Sequence, residues 1–263
     1  MDLGLKNKVA LITGASKGIG KAIATIFSEE NAYVTICSRD INNLKIVAEK
    51  IEEKTGSIVF PIQTNLEKRD DIKKMVNKTI KKFGRIDILV NNTGGPPPIK
   101  FIDTTEKHWQ NAINQLLMST INCSYEVIPI MKQQGWGRII NMTSIAAKQP
   151  IDNLILSNSL RSGIHGFTKT LSNELAEYGI TVNAVCPGYT LTDRVIELAK
   201  AIALKSGKKY KEIIRQWEEQ IPIGRLANPD EIANLVLFYA SEKASYITGN
   251  ITQVDGGYNK SII

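Results

Sequence analysis

The sequence is short of the residues that build metal centres and disulfide frameworks. Among 263 residues there are 3 cysteines and 2 histidines. Cys37, Cys123 and Cys186 stand far apart, without C-x-x-C spacing, and an odd count cannot pair completely. They read as core thiols. His108 and His165 have no third partner at metal-ligand spacing, so no metal is expected. Long apolar runs are also lacking. None approaches the roughly 20 residues that span a bilayer. The opening MDLGLKNKVALIT lacks the pattern of a cleavable signal and leads straight into strand-like sequence. The expectation is a cytoplasmic protein with no membrane partner. No internal repeat or low-complexity tract interrupts the chain, and GGPPP at 94–98 reads as a loop rather than a linker.

What is present fits one large globular domain over residues 1–263, with 43% hydrophobic and 22% charged residues. The net charge is +7, which raises the question of an anionic partner. The lysines, however, are spread over helix faces, as in KKMVNKTIKK and KSGKKYK. That is the pattern of a solvated surface, so no nucleic-acid partner is expected.

Short β-branched runs alternate with amphipathic stretches. The runs are 8–13, 33–38, 58–63, 86–92, 137–144, 180–186 and 250–255, with helical patterns between them, as at 18–30, 68–83 and 229–240. Continuously apolar strands separated by helices predict a parallel sheet covered on both faces. The fold class is therefore α/β, a Rossmann-type doubly wound sheet of about seven parallel strands. In such folds ligands bind beyond the carboxyl ends of the strands.

TGASKGIG, residues 13–20, sits at such an end. Gly14, Gly18 and Gly20 let the chain turn tightly and let a phosphate approach the backbone, with Ser16, Lys17 and Ile19 between them. The pattern points to a dinucleotide. The second strand ends in Ser38, Arg39 and Asp40. An acid ordinarily ends this strand where NAD is bound. Ser38 occupies that place, and Lys17 and Arg39 supply two cations that suit a 2′-phosphate. NADP(H) is expected over NAD(H), with Asp40 as the contrary feature.

Four segments in register carry a family resemblance: TGASKGIG, NNTG at 91–94, PGYTLT at 187–192, and the stretch from IPIGRLANPDEIANLVLFYASEK to QVDGG. From end to end the chain resembles the short-chain dehydrogenase/reductases, and within them the β-ketoacyl-carrier-protein reductase-like members. The resemblance implies that Asn65 and Leu66 pack on an adenine and that Asn92 and Gly94 line the cofactor cleft. It also implies that Thr192 meets the nicotinamide, with Pro187 and Gly188 shaping its pocket. It implies a substrate lid at about 192–222, which is amphipathic and reads as helical, and a homotetramer or homodimer, the family's tetramers being built through the fourth and fifth helices and the C-terminal end.

Catalysis in the family uses Asn, Ser, Tyr and Lys. The tyrosine gives a proton to the carbonyl oxygen, the lysine lowers its pKa and holds the ribose, the serine hydrogen-bonds the oxygen, and the asparagine supports a water relay. Aligned here, the serine is Ser144, the tyrosine position holds Ser157, the lysine position holds Arg161, and the asparagine position holds Leu116. Asn114 is two residues away, about 200° round an α-helix. A serine hydroxyl is a far weaker acid than a phenol of pKa about 10 and reaches less far. Arginine keeps the charge but does not deprotonate. Ser144, Ser157 and Arg161 are therefore the catalytic-site candidates, with Arg161 also a candidate for the ribose or an anionic substrate.

In the segment 156–171, Leu160, Ile164, Phe167 and Leu171 recur at helical spacing and define an apolar stripe, with Ser157 and Arg161 beside it. Tyr189, Lys148 and His165 are other groups that could move a proton; their plainer readings are a pocket wall, a solvated loop and packing. Trp217 and Ile213 read either as lid packing or as contacts to a hydrophobic substrate.

Three functions remain open. The first is a nicotinamide-dependent oxidoreductase acting on a small carbonyl or alcohol, anionic or hydrophobic, with a non-standard acid. The second is a cofactor-binding protein without redox activity, such as a sensor, scaffold or regulatory subunit. The third is lyase or isomerase chemistry on the same fold.

Overall fold

The computed structural model describes residues 2–262 apart from the side chain of Lys205. Seven strands form one parallel sheet in the order β3-β2-β1-β4-β5-β6-β7. They are β1 Val9–Ile12, β2 Tyr33–Ser38, β3 Val59–Gln63, β4 Ile88–Asn91, β5 Gly137–Met142, β6 Ile180–Pro187 and β7 Ile251–Val254. All register pairs are parallel, for example Ile12 with Ile36 and with Val90. Each strand therefore needs a crossover, and helices supply them.

The main helices are α1 Gly18–Glu29, α2 Ile41–Thr55, α3 Arg69–Phe83, α4 Glu106–Ala112, α5 Ser119–Gln134, α6 Ile155–Leu175, α7 Asp193–Ser206, α8 Tyr210–Glu218 and α9 Pro229–Ala240. Alternation along the strands decides which face each helix covers. Ala10, Ile12, Val34 and Ile36 join one buried cluster with residues of α1, α2 and α9. Leu11, Cys37, Leu89 and Ile139 point the other way, into a second cluster with α3, α5 and α6. The three cysteines are free and buried. No helix among the described residues is long and apolar enough to cross a membrane.

Strand order reverses between β1 and β4. Ligands in doubly wound sheets bind where such a reversal opens a crevice. The loops that leave β1 and β4 flank it.

Two elements differ from the sequence reading. The amphipathic stretch 195–222 is two helices, α7 and α8. Gly207 closes α7 in the left-handed region at φ 68°. Glycine takes that conformation without a Cβ penalty, which is why the chain turns there. The two helices share a small core of Ala199, Ala203, Ile213, Trp217, Ile221 and Leu226, so Trp217 and Ile213 are packing residues of α8.

The second difference lies in α6. Its inward face runs through Ser157, Arg161, Ile164, Thr168 and Leu171, all buried. Leu160 and Phe167, expected on the apolar stripe, are only half-buried. Arg161 is on the buried face rather than beside it. Apolarity alone misplaces the face because polar side chains can be buried when the strand ends offer them partners.

Candidate active site

The floor of the crevice is a knot of hydrogen bonds between the loops after β1 and β4. Thr13 Oγ1 donates to Asn92 O and accepts from Asn92 N, at 2.8 Å each. Asn92 Nδ2 donates to Thr13 O and Gly14 O, at 3.1 Å each. Asn92 thus holds the glycine loop against β4. The approach is too close for side chains. A Cβ on Gly14, which has φ 59°, would lie 2.6 Å from Asn92 O. A Cβ on Gly20 would lie 2.7 Å from Asn92 Nδ2.

Helix α1 starts at Gly18 with no side chain capping it. Its first N–H groups are therefore free to meet an anion, at the positive end of the helix. Above them opens a cavity of about 380 Å³, within the range of small-molecule sites. Gly14, Ser16, Lys17, Gly18, Ile19 and Gly20 form one wall. Ser38, Arg39, Asn65 and Leu66 form its far end, and Asn92, Gly94 and Thr192 its near end. A chain of backbone donors with cations at one end suits a dinucleotide diphosphate with an added phosphate.

Three other expected residues lie elsewhere. Pro187 and Gly188 close β6 against β7, with Gly188 N donating to Val254 O at 2.9 Å. Arg161 lies outside the walls of this cavity.

Asp40 also lines the cavity, but it has a structural task. Its Oδ1 accepts from Asn42 N and Asn43 N, at 3.0 and 3.1 Å, as the N-cap of α2. Ser38 Oγ donates to Asp40 O at 3.0 Å.

The second half of the site is built at the ends of β5 and β6. Ser144 Oγ accepts from Ala146 N at 3.1 Å, which starts a short helical turn and leaves the hydroxyl proton free to donate. Ser157 and Arg161 follow on successive turns of α6. Arg161 Nη1 donates to Met142 O and Thr143 O, both at 3.0 Å. Burial and the nearby Arg194 push its pKa down to about 10, so it stays charged at neutral pH.

His165, a turn beyond, is half-buried. Its Nε2 is 3.0 Å from Thr143 Oγ1 and 3.4 Å from Cys186 Sγ. Burial, Lys148 and Arg161 depress its pKa to about 4, so the ring is neutral at pH 7.

Tyr189 stacks on Trp217 with ring centroids 4.9 Å apart and meets Tyr258 edge-on at 5.5 Å. Burial and Tyr258 raise its phenol well above the ordinary value. A tighter hold on the proton is the reverse of what an acid catalyst needs. It packs against the small core of α7 and α8.

Two cleft residues escape a reading based on α-helical pitch. Residues Ile113–Met118 form a π-helical turn between α4 and α5. The wider turn presents Gln115 to the cavity, where Nε2 donates to Gly94 O at 2.9 Å, while Leu116 is buried. Arg194 reaches from the start of α7 to Pro96 O at 2.9 Å, bridging α7 to the proline loop. No spacing rule points to either residue.

Among the described residues no group of three His, Cys, Asp or Glu could hold a metal ion.

The sequence model of a family described as enoyl-(acyl carrier protein) reductase matches residues 14–259. A 3-oxoacyl-(acyl-carrier-protein) reductase of Staphylococcus epidermidis is 38% identical over 252 residues, 95% of this chain and 98% of the relative. The L-sorbose reductase of Gluconobacter frateurii, solved with NADPH and L-sorbose, superposes with a TM-score of 0.96 at 33% identity, covering 100% of both chains. A short-chain type dehydrogenase/reductase of Mycobacterium marinum superposes with a TM-score of 0.89 at 31% identity, covering 99% of each.

Proposed function

Because this chain belongs to the short-chain dehydrogenase/reductase family, we propose that it is an NADP(H)-dependent oxidoreductase of a carbonyl or alcohol substrate, working without the family's tyrosine. The carrying observation is the cradle around Gly14, Gly18 and Gly20, which a side chain would fill. The NADPH complex of the Gluconobacter frateurii enzyme supports the cofactor. The choice of NADP(H) over NAD(H) is supported by Lys17 and Arg39 on the cavity wall and by the engagement of Asp40 in capping α2.

The residues divide the work as follows. The glycine loop and the start of α1 bind diphosphate through backbone N–H groups. Lys17 and Arg39 face the adenosine phosphate, and Thr192, against Gly18, orients the nicotinamide end. Bound there, the cofactor supplies a hydride to a carbonyl carbon. Ser144 donates its free hydroxyl proton in a hydrogen bond to the carbonyl oxygen. Arg161 holds charge at the end of β5 but gives up no proton at neutral pH. Ser157 is too weak an acid to replace a phenol. Solvent in the cleft therefore delivers the proton, which makes turnover slow: a general acid contributes about 10²–10⁴-fold.

A second reading, a binding protein without redox activity, draws on the substitution of Ser157 and Arg161 for tyrosine and lysine. NADPH consumption against a panel of carbonyl compounds separates the two. The oxidoreductase reading expects turnover with at least one compound and its loss in Ser144→Ala. Tight NADPH binding with no turnover supports the second reading.

The proposal extends to residence in the cytoplasm and to a homodimer or homotetramer. Exposed Tyr125 and Met118, on and beside α5, support the assembly. Light scattering reads it directly, and a monomer removes it.

A further inference from the structure

Arg161 is 7% exposed. Its two bonds go to main-chain carbonyls, Met142 O and Thr143 O, and no carboxylate pairs with it among the described residues. Both bonds use Nη1. The other guanidinium nitrogens have no partner among the described residues, yet they are not among the sealed and unsatisfied buried atoms. They are open at the end of β5, on the main chain that leads into Ser144.

The charged neighbours make the cation less comfortable. Arg194 lies close enough to depress its pKa, and Lys148 and Arg161 together depress His165. Cys186 is no counter-ion, because burial raises its pKa and keeps it a thiol. Asp255 is engaged in its own turn, accepting from Gly257 N at 3.0 Å and Asn259 N at 2.9 Å. A cation withdrawn from water without a counter-ion is costly. A planar fork with open donors matches a carboxylate.

We infer that Arg161, with the half-buried Lys148 that shares His165 as a neighbour, is an anion subsite that selects a substrate carrying a carboxylate near its carbonyl group: an oxo acid, or the matching hydroxy acid. The anion comes from the substrate rather than the cofactor, because Arg161 lies outside the cavity walls where Lys17 and Arg39 sit. The inference rests on the oxidoreductase reading and names its substrate class.

The test is equilibrium binding by titration calorimetry with NADP⁺ present, so that no turnover is needed. The probes are 2-oxobutanoate, acetoacetate and 4-oxopentanoate, each beside its methyl ester. At least one acid is expected to bind about tenfold or more tightly than its ester, a difference of about 1.4 kcal/mol. Arg161→Gln is expected to bring the pair within about twofold, and Lys148→Gln to reduce the gap in part. A panel in which no acid outbinds its ester in the wild-type protein overturns the inference, whether or not the variants fold. So does an acid preference that survives Arg161→Gln. Inorganic phosphate separates the two sources of anion. Competition with the acid supports the subsite, and competition with NADP⁺ alone, without effect on the acid, overturns it. NADP⁺ and NADPH binding are measured first. If neither binds, the oxidoreductase reading fails; if they bind and no acid is preferred, only the subsite fails.

Discussion

The two halves of the cleft are held together by different atoms. Around β1 and α1 the main chain does the holding: N–H groups, carbonyls and glycines, with Asn92 as the tie. Around β5 and α6 side chains do it: Arg161 on two carbonyls, and His165 and Cys186 on Thr143. A main-chain cradle tolerates almost no change where the backbones meet, since even one Cβ collides. A side-chain lattice can be rewritten residue by residue, as long as each buried polar group keeps a partner. On the proposed reading, Ser157 and Arg161 on α6 are such a rewriting.

The sharpest break of this contrast is on the main-chain side. Gly14→Ala places a methyl 2.6 Å from Asn92 O and forces a side chain at φ 59°. Strain and overpacking of about 2–4 kcal/mol are expected, which lowers NADPH affinity by about 100-fold or more. Titration calorimetry reads it. An affinity within threefold of wild type contradicts the cradle.

On the side-chain side, His165 offers an effect of about 2–3 kcal/mol. Its folded pKa of about 4 lies below the ordinary 6.5. The unfolded chain therefore takes up the proton first as the pH falls. The contribution is complete above pH 6.5 and is lost as the pH drops towards 4. Chemical denaturation across that window is expected to show a shallower decline for His165→Gln than for wild type. Equal slopes mean that the ring titrates normally.

The smallest effect sharpens the adenosine end. Arg39→Ala is expected to cost NADPH affinity about tenfold and leave NADH affinity within twofold. A matched loss for both cofactors contradicts a role in phosphate recognition.

How much of this was legible before the structure follows the same division. The seven strand-like runs match β1–β7 with small differences at their ends, because continuous apolar runs have few alternatives. The glycine loop was legible because main-chain approach leaves glycine as its mark. The inward face of α6 was legible only in part: Ile164 and Leu171 are buried as expected, and its polar members were not foreseen. Periodicity looked for leucine and phenylalanine, whereas Ser157, Arg161 and Thr168 are buried. Arg161 and Thr168 meet partners at and around the strand ends; Thr168 Oγ1, for example, accepts from Asn141 Nδ2 at 2.9 Å. Gln115 escaped because a π-turn rotates it relative to α-helical pitch. Arg194 escaped because its partner, Pro96 O, is 98 residues away in sequence.

The central claim is that the cofactor half is intact and that only the proton supply has been rewritten. NADPH consumption by the wild-type protein and by the double variant Ser157→Tyr with Arg161→Lys, on the same carbonyl panel, tests it most directly. The account predicts slow turnover by the wild type and a rise of about 10²-fold or more in the variant, at similar NADPH affinity. Two proteins that both bind NADPH, with no turnover by either, would contradict it.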